Sequence, residues 1–389
     1  NLTRIKKSGL STLSTQSKSS LRSNKFKFRL IKFLFITNRP SPYTRMEQHP
    51  WSARAAIASA KLRESTVFCV AFSPCARFLV AGSSLGRLSV WCVGQLGGDA
   101  INTLPELVLT AHSCCIYTLT FGEAGNGEVV LFTGGADEVR GWRWSALADA
   151  ALGATATVRL SASAARSARF MALRPVVPRQ TPQFAASPHL VPETNGLSVS
   201  GGFVHAAMGD GVARSWDLET GAVVREFVGH TALLHTVAPL GQSGELATGS
   251  EDGTVRLWDL RSAACIDTVH PCAAAAATTA VGGRSGSSSA SSIACAWVAA
   301  LAVDPARGSN WLACSGGGDG GSSGFVSWLH VPTRRVYAVL PSATPVNALC
   351  IQSEEGTLLA VGHEAKIQKF SVPQMEAIGS QPIGAAAPP

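Results

Sequence analysis

One unit recurs six times along this chain, and an internal repeat constrains a fold more tightly than composition can. Each copy runs from a short apolar strand, through a turn, to a second strand ending in small residues. A tight turn follows, in most copies with an Asp, and then a third strand that ends in an aromatic residue. The copies close at Trp91, Trp142, Trp216, Trp258, Trp328 and Phe370. Successive anchors are 51, 74, 42, 70 and 42 residues apart. A unit of that size, built of strands with Gly-rich turns, predicts a four-stranded antiparallel sheet that cannot bury both faces alone. Sheets packed radially bury those faces against one another and leave only short edges.

The two long spacings each contain an insertion. Residues 146–196 are first Ala-rich and then Pro-rich (RPVVPRQTPQFAASPHLVPET), and residues 273–292 are a low-complexity run of Ala, Gly and Ser. Such segments bury too little apolar surface to offset their ordering entropy, so both are expected to be loops or disordered. Ahead of the repeats, PWSARAAIASAKLRES at 50–65 reads as a short helix with Trp51, Ile57 and Leu62 towards one side. The expected division is therefore an extension over 1–45, a helix within 46–64, repeats over 65–372, and a disordered tail over 373–389.

The polar residues of the unit suit architecture. In the fourth copy, GHTALLHTVAPLGQSGELATGSEDGTVRLWDLRS, His230 leads into the unit, Asp252 stands in the turn before the third strand, and Trp258 ends that strand. Counting back through the turn puts Thr248 opposite Trp258. A buried chain Trp258–Thr248–His230–Asp252 would satisfy every donor it contains. The second copy repeats the set as His112, Thr133, Asp137 and Trp142, while the third keeps only Asp210 and Trp216. A His, a Thr and an Asp in one unit could suggest nucleophilic catalysis. A catalytic set occurs once, however, and recurrence at the repeat period points to structure.

Other chemistry finds little support. CSGGGDGGSSG at 314–324 lacks the Gly-Lys-Ser/Thr ending of a phosphate loop and reads as a hairpin. Five further His residues, at 189, 205, 235, 270 and 363, are scattered with no metal-ligand spacing, and the ten Cys form no C-x-x-C pair. Most of those Cys lie in apolar runs and read as reduced, buried thiols. No catalytic residue, cofactor, metal or small-molecule substrate is expected.

The net charge of +8 is a property of the first 45 residues, which hold 11 Lys and Arg and no acidic residue. The remainder has 22 basic against 25 acidic residues, so it carries no broad electrostatic footprint for nucleic acid. Six of the nine Lys lie in that first segment, and the first Met is Met46. This contrast suggests that 1–45 is foreign to the native protein; a targeting presequence or a disordered basic arm are the alternatives. RLIKFLFI at 29–36 is too short and too charged to cross a membrane.

At these residues the chain resembles the WD40 β-propeller family over 65–372. The helix followed by FSPC, the unusual GWRW unit and the VPETN approach to the third unit resemble in particular its THO complex subunit 6 branch. The resemblance implies a nuclear, non-enzymatic scaffold in messenger-RNA processing and export. Other THO complex subunits would be its partners, and RNA would be contacted only through the complex. It also implies seven blades where six are legible, so that one is missing at the C-terminus or hidden in 146–196. A second reading is a substrate receptor of a cullin-4 ubiquitin ligase. LATGSEDGTVRLWDLR fits the W-D-x-R box by which WD40 proteins dock that ligase's adaptor, with Asp259 and Arg261 as the contacting residues. Arg261 is the residue of this stretch that architecture leaves unexplained, since Glu219 stands in its place in the third copy.

Overall fold

A computed structural model describes residues 65–95, 104–136, 138–154, 157–174, 192–241, 244–272, 295–304, 310–318, 322–372 and 374–382. The expected extension over 1–45, the helix within 46–64, the insertion core at 175–191, the low-complexity run 273–292 and Asp137 all lie outside the described residues.

The described chain is a six-bladed β-propeller. Blade one is β1 (Val67–Phe72), β2 (Phe78–Ser83), β3 (Arg87–Cys92) and β4 (Leu107–Thr110). Blade two opens with β5 (Ile116–Glu123), β6 (Val129–Gly135) and β7 (Val139–Arg143). The chain then leaves the sheet through α1 (Trp144–Leu152), β8 (Val158–Arg159) and α2 (Ala162–Ala168), and returns as β9 (Arg169–Leu173). Blade three is β10 (Thr194–Ser200), β11 (Phe203–Met208), β12 (Ala213–Asp217) and β13 (Val223–Phe227). Blade four is β14 (Leu234–Pro239), β15 (Glu245–Ser250), β16 (Val255–Asp259) and β17 (Cys265–Val269). Blade five is β18 (Cys295–Val303), β19 (Trp311–Gly318), β20 (Gly324–His330) and β21 (Arg335–Ser342). Blade six is β22 (Val346–Gln352), β23 (Thr357–Gly362), β24 (Lys366–Ser371) and β25 (Glu376–Pro382).

The innermost strands β1, β5, β10, β14, β18 and β22 stand in sequence, each packed on the next. Five apolar clusters weld consecutive blades. The one between blades three and four joins Phe227 to Leu246 and Trp258, whose rings meet edge-on at 5.8 Å. A small sixth cluster, Cys350, Leu359 and Val361, belongs to blade six alone among the described residues. Glycines fix the tight turns: Gly211 and Gly253 both have φ of +77°, and a Cβ on Gly253 would lie 2.8 Å from the Cys295 carbonyl oxygen.

Three expectations need correction. The span 146–196 is not wholly loop. α1 buries Trp144, Leu147 and Ala151 against blade one and blade two, and β9 supplies the fourth strand of blade two. β8 pairs in parallel with β4 and becomes a fifth strand on blade one. The described part of the insertion therefore completes existing blades and forms no seventh. The Ala-rich composition hid this, because those alanines need only a shallow apolar stripe to dock. The tail also contributes: β25 hydrogen-bonds along β24, although all its residues are exposed. Backbone pairing, which leaves no hydrophobic pattern to read, holds that strand.

The third correction concerns Trp328. A bulge precedes the anchor in the outer pairing of blades two to six, falling between Leu257 and Trp258 in blade four and between Trp328 and Leu329 in blade five. Leu329 therefore occupies the anchor position, and Trp328 corresponds to Leu257. A one-residue offset turns a side chain to the opposite face. Trp328 accordingly packs towards blade six, edge-on to Phe370 at 5.9 Å.

Candidate functional site

In blade four the expected chain forms. His230 Nδ1 lies 2.7 Å from Asp252 Oδ2, and His230 Nε2 lies 2.8 Å from Thr248 Oγ1. Trp258 Nε1 donates to the same hydroxyl at 2.8 Å. Thr248 is not directly opposite Trp258, as the turn count suggested. Leu246 takes that place and Thr248 pairs with Arg256, so the indole reaches diagonally across two residues. One tautomer satisfies all four groups: Nδ1–H donates to the carboxylate, Nε2 accepts from the Thr hydroxyl, and that hydroxyl accepts from the indole.

Asp252 also accepts from the backbone N–H of Thr231 and Thr254 and from the Thr254 hydroxyl. Burial works to raise its pKa, but the hydrogen bonds from His230, from the Thr254 side chain and from the Thr231 N–H outweigh burial and hold the carboxyl below its ordinary value. The carboxylate thus ties the loop leading into the blade to the turn between β15 and β16.

Blade two brings three of its set together. His112 Nε2 lies 2.9 Å from Thr133 Oγ1, and Trp142 Nε1 donates to that oxygen at 3.0 Å. Blade three solves the problem differently. Ala206 occupies the Thr position, and the Trp216 Nε1 has no hydrogen-bond partner. A fully buried Arg214 takes over, 2.7 Å from both Asp210 and Glu226. Sequence reading missed a second network here: His205, set aside as scattered, bridges Ser200 at 3.0 Å and Ser215 at 2.7 Å. Burial, helped by the Arg225 charge, lowers the His205 pKa to about 4. The signal was present in the alternation of FVHAAM, which points His205 to one face between apolar neighbours, but its Ser partners are fixed only by register.

Asp259 and Arg261 separate in role. Asp259 Oδ1 accepts from the backbone N–H of Arg261 at 2.6 Å and of Ser262 at 3.2 Å. Asp217 does the same for Glu219 and Thr220 in blade three. The Asp therefore nucleates its own turn in both blades. The Arg261 carbonyl accepts from Arg225 Nε at 3.2 Å, while its exposed guanidinium forms no hydrogen bond or ion pair among the described residues. Among the described residues no group of three or more His, Cys, Asp or Glu could hold a metal ion. No described helix is long and apolar enough to cross a membrane.

The family described as "WD domain, G-beta repeat" matches residues 59–92 and 221–259, covering the third strand and anchor of the first and fourth blades. With the repeated anchors and the blade geometry, the chain is a β-propeller in which two segments match the WD40 repeat. It resembles THO complex subunit 6. The Arabidopsis thaliana protein of that name is 27% identical over 335 residues, 80% of each chain. The Mus musculus homolog is 29% identical over 255 residues, 65% of this chain and 62% of its own length. The alignment thus spans less than two thirds of the mouse relative. Among solved structures, the computationally designed Ika8 protein superposes with a TM-score of 0.50 at 16% identity, over 81% of this chain and 74% of that one, a likeness of fold alone.

Proposed function

We propose that this WD-repeat protein is a non-enzymatic scaffold subunit of a THO/TREX-type assembly in the nucleus, where it binds other THO subunits in messenger-RNA processing and export. The observation that carries the reading is the reach of the likeness to the plant THO complex subunit 6. It extends over 80% of both chains, well beyond the repeat signature. The architecture agrees. Hydrogen-bonded networks inside blades two, three and four commit polar residues to rigidity, and rigid, packed blades present their loops as a platform for protein partners. The nearly charge-neutral body favours RNA contact through the complex rather than through this chain.

The exposed guanidinium of Arg261 favours one second reading, docking of a cullin-4 ligase adaptor through the W-D-x-R box. A single purification separates the two. The full chain is isolated from cells by affinity tag, and the co-purifying proteins are identified by mass spectrometry. THO subunits are expected. Recovery of cullin and adaptor without THO subunits would overturn the scaffold reading. Arg261→Ala should leave the melting temperature and THO recovery unchanged, and should abolish adaptor recovery if any occurs.

A further inference from the structure

Blades two, three and four each carry an arginine two residues before the tryptophan of the third strand: Arg140, Arg214 and Arg256. Each pairs with the second strand, opposite Thr133, Ala206 and Thr248 respectively. A guanidinium drawn into a blade needs acceptors, and in two blades its Nε finds a carboxylate. Arg140 Nε donates to Glu138 at 2.6 Å, and Arg214 Nε donates to Glu226 at 2.7 Å. Arg256 differs. Its Nε is buried with no hydrogen-bond partner, and it makes no ion pair among the described residues. Its Nη1 reaches only the Cys265 sulfur, at 3.9 Å. The guanidinium is held close to Gly229, where a Cβ would lie 2.8 Å from Nη1. The register shows what blade four lacks. Glu226 stands directly opposite Arg214 on the outer strand β13, and directly opposed residues share a face. The corresponding residue on β17, opposite Arg256, is Thr268. Thr268 is exposed on the outermost strand of its blade, and its hydroxyl lies 3.8 Å from the same Cys265 sulfur. Blade four thus keeps the cation of the blade-three pair and sets a hydroxyl where the carboxylate stood.

We propose that Thr268 is a phosphorylation site and that Arg256 is the receptor for its phosphate. The transfer uses a nucleoside triphosphate bound to a protein kinase. Thr268 Oγ1 bonds to the γ-phosphorus while the bond from that phosphorus to the β–γ bridging oxygen breaks. The nucleoside diphosphate leaves with the electron pair, and the hydroxyl proton passes to a carboxylate of the kinase. The product carries acceptor oxygens and a charge of about −1.5 to −2 at the place where blade three keeps Glu226. Those oxygens accept from the Arg256 guanidinium, Nε included, in a charge-assisted pair. The pair fastens the outer strand β17 to β16 beside the Trp258 anchor, as the Arg214–Glu226 pair fastens β13 to β12 in blade three.

The full chain is isolated from cells with phosphatase inhibitors present and digested with trypsin. Cleavage after Arg261 and Arg284 gives one peptide, 262–284, which also contains Ser262, Thr278 and Thr279, so fragmentation assigns the site. A phosphate on Thr268 that alkaline phosphatase removes is expected. Recovery of the peptide with Thr268 unmodified, or with phosphate on the other three residues alone, would overturn the proposal. The receptor is tested by urea unfolding of Thr268→Glu against the uncharged Thr268→Gln. With Arg256 present, the glutamate should lower the unfolding constant about threefold or more relative to the glutamine. In an Arg256→Gln background that difference should vanish. No gain with Arg256, or an equal gain without it, would refute the receptor. Should Arg256→Gln fail to fold, Arg256→Lys takes its place, since it keeps the charge but loses Nε, and the gain should shrink. The peptide measurement needs no variant.

Discussion

Thr248→Val tests the central claim about the blades, that one buried hydroxyl locks a loop, a turn and an anchor together. Valine nearly matches threonine in volume, so the change removes hydrogen bonding without opening a cavity. Thr248 is fully buried, with Trp258 1% and His230 6% exposed, so water cannot replace the lost partner. The substitution strands two polar groups, the Trp258 N–H and the His230 Nε2, each 2.8 Å from the missing oxygen. An orphaned buried group costs about 1–3 kcal/mol. The pair shares one partner and will not add fully, giving a loss of about 2–5 kcal/mol. Equilibrium urea unfolding followed by tryptophan fluorescence reads this as a lower midpoint with an unchanged slope. Thr248→Val combined with Trp258→Phe should cost less than the sum of the two single changes, because the indole N–H is then absent. A Thr248→Val cost below about 0.5 kcal/mol, the range of an ordinary surface substitution, would refute the reasoning. Blade three makes such a result conceivable, since it carries Ala206 at this position and an unpartnered Trp216 N–H, but it gains the buried Arg214 ion pairs in exchange.

Other outcomes follow from the same geometry. Trp258→Ala should cost about 3–5 kcal/mol by emptying the cluster between blades three and four, measured by the same unfolding assay. The Asp252 carboxyl has a folded pKa below its ordinary 3.8, so its contribution is fully present above about pH 4 and is lost as pH falls below that value. Asp252→Asn should therefore lose about 1–3 kcal/mol at neutral pH, and its gap from wild type should narrow in urea melts taken towards pH 3. His205, with a folded value of about 4 against an ordinary 6.5, favours the neutral folded form. Stability should fall by up to about 3 kcal/mol as pH drops from 6.5 to 4, and His205→Gln should flatten that limb of the pH–stability curve.

The repeat made the fold legible, because each copy carried its own strand alternation, turn glycine and anchor. The blade-four network was legible too. His230, Thr248, Asp252 and Trp258 each sit at a position whose chemistry only makes sense if they meet. Trp328 shows where this ran out. A tryptophan near the right spacing looked like an anchor, but face assignment has a period of two residues, and a count that is off by one reverses it. The Asp of the W-D pair looked available for a partner, yet its carboxylate is committed to two backbone N–H groups of its own turn.

The sequence by itself determined the repeating unit, its six copies and the polar set of the fourth blade, since these depend on local spacing. Only the tertiary structure decided which residues face which neighbouring blade, that Arg214 is buried between two carboxylates, and that His205 joins two serines. The physical reason is common to all three. Register, bulges and the radial packing of sheets set those contacts, and each depends on residues far apart in the chain whose mutual placement no local pattern encodes.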